Sequence, residues 1–218
     1  MKPLHVRFLS LCFAAMLAMS GHCAFAQEGR FEVGGQGLVL LSQGEPSNDM
    51  VGGGVVFGWR WKDQWHFGGA IDDMTFDYER PQRELGIVQD PAQKVIDGSN
   101  SFTRLSGWVE RRYDDSGNWH WFWGAGLGYA SITAEPFVSG PTNSGGTFNI
   151  TTDASDELHL MTRAGLRRAL GDNWTLTGTF HLEHHFTDYI IRDTVSGAVA
   201  KIESHTPVGL SLTFGYRF

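Results

Sequence analysis

The stretch TPVGLSLTFGYRF, which closes the chain, alternates in twos. Thr206, Val208, Leu210, Leu212, Phe214, Tyr216 and Phe218 share one parity; His205, Pro207, Gly209, Ser211, Thr213, Gly215 and Arg217 share the other. A two-residue period predicts a strand with unlike faces. The same reading applies upstream and predicts eight strands: Arg30 to Ser42, Val51 to Trp61, Trp65 to Tyr78, Ser101 to Tyr113, Trp119 to Ile132, Asp156 to Ala169, Trp174 to Phe186 and Ser204 to Phe218. Long amphipathic helical stretches are missing.

The connections carry a second pattern. KDQ, DDSGN and LGDN, after the second, fourth and sixth strands, are short and rich in turn-forming residues. The other four are longer: QGEPSNDM, ERPQRELGIVQDPAQKVIDGSN, TAEPFVSGPTNSGGTFNITTDAS and TDYIIRDTVSGAVAK. Long and short connections therefore alternate. An up-and-down meander with all its tight turns at one end has this layout.

The two faces then decide what surrounds the sheet. In the seventh strand Leu176, Gly178, Phe180, Leu182, His184 and Phe186 oppose Thr175, Thr177, Thr179, His181, Glu183 and His185. In the sixth, Leu158, Leu160, Thr162, Ala164 and Leu166 oppose His159, Met161, Arg163, Gly165 and Arg167. A soluble sandwich could alternate likewise with its apolar face inside. Glycine interleaved with Arg, Glu and His argues otherwise, because it adds nothing to a solvated face but makes room inside a narrow, side-chain-filled tube. Aromatics also crowd the strand ends beside the tight turns: Trp59, Trp61, Trp65, Phe67, Tyr113, Trp119, Trp121, Trp123, Trp174, Tyr216 and Phe218. Such a belt marks a bilayer interface. The expected fold is all-β: an eight-stranded antiparallel up-and-down transmembrane β-barrel, apolar outside and polar inside. The last strand should pair with the first, placing Phe218 at the turn-end rim.

Composition narrows this further. Within the 218 residues, positions 1–26 carry Lys2 and Arg7, an apolar run from Phe8 to Met19 and Ala24-Phe25-Ala26. This is the layout of a cleaved secretory signal peptide, which leaves 27–218 as one barrel domain. The apolar run is short for a spanning helix, and the residues before Cys23 do not suit lipidation. Cys12 and Cys23 are the only cysteines, so the mature chain would have neither disulfide nor thiol chemistry. The leader takes two of the 17 basic residues and none of the 24 acidic ones, leaving 15 against 24, a net charge of −9. That balance argues against nucleic acid as a partner.

The fifth-strand GAGLGYA, the hairpin RAGLRRALGDNWTLTGTFHLEHHFTDY and the closing GLSLTFGYRF resemble the OmpA-like and opacity-type family of eight-stranded outer membrane β-barrels. The resemblance covers the mature chain as architecture. It implies a Gram-negative outer membrane location, among outer membrane lipids and lipopolysaccharide. It also implies that the terminal strand, with Tyr216 and Phe218, is read by the barrel-assembly machinery. The periplasmic domain that many such proteins carry is not expected after Phe218.

Candidate chemistry lies in the lumen. Glu32, Arg60, Asp72, Arg104, Glu110, Arg112, Arg163, Arg167, Glu183 and Arg217 have inward parity. Buried charges must pair, so a cross-linked polar network is expected, centred on Arg104, Glu110, Arg163, Arg167, His181, Glu183 and His185. His181, Glu183 and His185, with His159 on the adjacent strand, could instead ligate a metal; the network reading is preferred, with no cofactor. A filled bore favours a structural or surface-interaction role over an open channel, with a narrow small-solute channel as an alternative. The long loops would meet any extracellular ligand.

Two other readings are weighed. A lipid A-modifying hydrolase would need a nucleophile, base and orienter on the lipid face. His184, Ser204-His205 and Asp188 lie close in sequence, but Phe186 stands two residues after His184, so no catalytic residue is assigned. A soluble barrel around an apolar ligand is disfavoured by the aromatic belt and the terminal Phe.

Overall fold

The computed structural model describes residues 31–41, 49–62, 64–81, 95–114, 119–132, 136–141, 145–152, 155–186, 189–202 and 206–218. The proposed leader, the tip of the connection after the third strand, Asp188 and Ser204-His205 lie outside the described residues.

Twelve strands occur in the order β1 (Phe31–Leu41), β2 (Met50–Lys62), β3 (Trp65–Pro81), β4 (Val95–Asp114), β5 (Trp119–Ile132), β6 (Pro136–Pro141), β7 (Thr147–Thr152), β8 (Ser155–Leu170), β9 (Trp174–His185), β10 (Tyr189–Asp193), β11 (Val199–Ile202) and β12 (Val208–Arg217). Eight of them close a barrel in the order β1-β12-β9-β8-β5-β4-β3-β2. The closing seam pairs β1 with β12 antiparallel, with Glu32 opposite Arg217 and Val39 opposite Leu210. Phe218 extends it by donating its backbone N–H to the Phe31 carbonyl at 2.9 Å. Closure satisfies the edge amides, as hydrocarbon requires.

The chain end is also fixed sideways. The turn between β8 and β9 needs a left-handed residue, supplied by Gly171 at φ +76°. Asn173, in the same turn, donates its side-chain amide to the Arg217 carbonyl at 3.0 Å and to Tyr216 Oη at 3.2 Å. Arg217 returns its N–H to the Asn173 carbonyl at 2.8 Å.

Parity sorts the side chains as the alternation predicts. Leu127, Leu210 and Leu212 are 62%, 65% and 60% exposed on the outer wall, while Asp72, Glu183 and His159 are fully buried inside. A soluble barrel with an apolar ligand cavity needs the reverse. The aromatics at the turn end form contacts around the outside: Tyr113 stacks on Trp121 at 4.2 Å, and Trp174 lies 4.8 Å from Phe214 and 4.9 Å from Tyr216. Trp123 Nε1 donates to Tyr113 Oη at 2.9 Å.

The opposite end departs from the sequence expectation. β3 and β4 stay paired as far as Pro81 and Val95. With 17 and 20 residues, both run well past the roughly 9–11 needed to cross a bilayer. Two connections read as loops contain β6, β7, β10 and β11, which form a separate four-stranded sheet in the order β11-β10-β7-β6. Its apolar side buries Phe148, Ile150 and Ile191. The strands are short and separated by Gly, Pro and Ser, so turn signals mask the alternation of TFNITT and the β-branched run of YIIRD. Pairing between distant segments makes them strands: Ile191 sits opposite Thr152, and Asp193 opposite Ile150.

Candidate functional site

Inward positions come from alternate residues of all eight barrel strands, so many partners are set by barrel registry as well as by neighbours two residues away on the same strand. Near the turn end, Glu32 of β1 accepts from Arg167 Nη1 of β8 and from Thr175 Oγ1 of β9, both at 2.5 Å. Arg112 of β4 lies 3.8 Å from the same carboxylate and donates from Nε to Glu110 at 2.7 Å. Arg163 Nε is 3.5 Å from Glu110. Its guanidinium carbon stands 4.0 Å from the Trp108 ring centre and 5.4 Å from that of Phe122. A cation over an aromatic face is stabilised by the ring quadrupole. This layer borders a cavity of about 30 Å³, enough for roughly one or two waters.

Higher up, Arg104 bridges the bore. Its Nη1 donates to both carboxylate oxygens of Glu183, at 2.9 and 2.8 Å, and its Nη2 to Asp72 Oδ2 at 2.9 Å. Gln36 donates to the other Asp72 oxygen at 2.6 Å. The link joins β3, β4 and β9 across the interior. Forked charge-assisted bonds of this kind are the strong class.

His159, Glu157 and His185 lie near the loop end. His185 Nδ1 bonds the Glu157 carboxylate. The His159 and His185 rings stack at 5.0 Å with 13° between their planes. Gly128, opposite His159 across the β5–β8 pair, leaves the space the ring occupies, since a Cβ there would collide with it.

All seven residues singled out for the lumen network project inward and are buried. Arg104 joins Glu183, and Arg163 approaches Glu110. Arg167 bonds Glu32 instead. His181 shares a 2.8 Å hydrogen bond with Ser211 through Nε2, and its Nδ1 lies 3.7 Å from Glu183. Arg60 remains exposed at the rim. Sequence reasoning missed Glu157, although it shares parity with His159. It also missed Trp108 and Phe122 as inward aromatics, because small and polar residues dominate that face.

On the lipid side, His184 Nδ1 lies 2.9 Å from Thr206 Oγ1, and its ring meets Phe186 edge-on.

Above the barrel, the Asp193 carboxylate accepts from the backbone amides of Asn149 at 2.9 Å and of Val195 and Ser196 at 3.1 Å each, and from Ser196 Oγ at 2.5 Å. Burial alone would raise its pKa; the donated hydrogen bonds outweigh that and hold it below the usual carboxylate value.

A closed antiparallel eight-stranded tube, apolar outside and charged within, defines an integral β-barrel of the outer membrane class. Known structures agree on the fold. Neisserial surface protein A superposes with a TM-score of 0.50 at 14% identity, covering 86% of this chain and 97% of that one. The outer membrane protein OprG from Pseudomonas aeruginosa gives 0.56 at 10% identity, covering 88% and 98%. No protein-family model and no curated protein sequence matches the chain.

Proposed function

We propose that this chain is a non-enzymatic outer membrane surface protein, whose barrel is a rigid anchor presenting the four-stranded external sheet to a partner outside the cell. One observation carries the reading: Arg104 ties Asp72 to Glu183 across the bore, while the additional ordered structure is built beyond the membrane, from β6, β7, β10 and β11. A protein selected for conduction would keep its charged groups at the wall, leaving the axis open. Here they meet across it. The outer wall contacts outer membrane lipids and lipopolysaccharide, and the strand ending in Tyr216 and Phe218 serves as the assembly signal.

Planar-bilayer recording on the refolded protein tests this, alongside protease shaving of intact cells. The expected result is no stable conductance step, with cleavage confined to the connections at the long-loop end. A steady conductance that changes on altering Arg104 would replace the anchor reading with that of a small-solute channel.

A further inference from the structure

The cluster at the outer end of the lumen has a use that ion pairing does not exhaust. Donor atoms of Glu157, His159 and His185 all lie within 4.8 Å of one another. Glu183 closes the group from below, its Oε2 3.4 Å from His185 Nε2 and 3.8 Å from His159 Nε2. Around a tetrahedral ion with bonds of about 2.0–2.1 Å, donors stand roughly 3.3–3.4 Å apart. Small side-chain rotations therefore bring these donors into range.

A further observation points to a ligand. His159 is fully buried, yet neither ring nitrogen has a hydrogen-bond partner. Buried polar groups left this way are costly, and a metal ion is one partner an imidazole nitrogen can take.

We propose that Glu157, His159, His185 and Glu183 form a binding site for one divalent transition-metal ion, with imidazole nitrogens from β8 and β9 and carboxylate oxygen as donors. Two nitrogens with oxygen donors suit zinc, nickel or copper rather than calcium or magnesium.

The test uses the mature barrel, refolded without an affinity tag and stripped with a chelator. Calorimetric titration with zinc should give one ion per barrel. The copper-loaded protein should show nitrogen hyperfine coupling from two imidazoles in its electron paramagnetic resonance spectrum. His159→Gln, shown folded by its heat-modifiable gel migration, should bind zinc at least about tenfold more weakly, while His184→Gln on the lipid face should bind normally. Should His159→Gln not fold, His185→Gln is read the same way, and the wild-type copper spectrum decides without a variant. Absence of stoichiometric binding, unchanged affinity in a folded His159→Gln or His185→Gln barrel, or a copper spectrum without imidazole nitrogen would overturn the proposal.

Discussion

Arg104 and Glu183, 79 residues apart in sequence, share two hydrogen bonds of 2.9 and 2.8 Å inside the barrel, where neither meets solvent. Removing one partner strands the other charge. Arg104→Leu should therefore lower unfolding stability in lipid vesicles by about 3–5 kcal/mol, read from urea-induced loss of tryptophan signal. Adding Asp72→Asn and Glu183→Gln to the same chain should recover much of that loss, because no buried charge then lacks a partner. Equal stability of the single variant and the parent would mean that the bridge does not form.

The outer wall should resist charge in a way the lumen does not. Leu210 and Ser211 are neighbours on β12 with opposite orientations. Leu210→Arg should cost about 2–4 kcal/mol if it lies near the bilayer midplane, whereas Ser211→Ala should cost about one hydrogen bond, roughly 0.5–1.5 kcal/mol. Equilibrium unfolding of both variants in the same lipid gives the comparison.

Space is rationed inside. Gly128 faces the His159 ring and Gly68 faces Trp108, so close that a methyl group at either position would collide with a ring. Gly128→Ala should destabilise by about 1–3 kcal/mol through overpacking. Gly178, which has nothing within 4 Å of an added Cβ and projects outward, should accept alanine without measurable loss. Thermal unfolding of the two variants separates them.

The external sheet should loosen in acid. Asp193 lies outside the membrane-spanning part of the chain, and its folded pKa is held below the ordinary value by the amides and hydroxyl it accepts from. A depressed carboxylate contributes stability above its unfolded pKa and loses it as pH falls through the folded one. Amide hydrogen exchange at Asn149 and Ser196, corrected for the intrinsic pH dependence, should lose protection as pH drops below the usual aspartate range. Asp193→Ala should show the weaker protection at every pH.

The barrel was legible in the sequence because a two-residue period survives over strands such as Trp174–His185, and because Gly171 marks a turn plainly. The partners inside were not. Asp72, Arg104 and Glu183 come from β3, β4 and β9, and no local pattern reports the registry that brings them together. Glu157 was readable by parity but lies at the mouth-end start of β8, where strand and loop are hard to separate. The sheet of β6, β7, β10 and β11 stayed hidden because each strand has only four to six residues, and long-range pairing rather than local preference sets their conformation.

The orientation of the two faces can be measured site by site, because the sequence has no cysteine beyond position 23. Single cysteines at Leu160, Phe180, Leu210 and Leu212, and at Thr177, Thr179, Ser211 and Thr213, can each carry a spin label in refolded bilayer samples. The first set should collide strongly with oxygen dissolved in the lipid, and the second should be shielded from it. Strong oxygen collisions at the second set, with the leucine and phenylalanine sites shielded, would mean that the apolar face lines the interior instead.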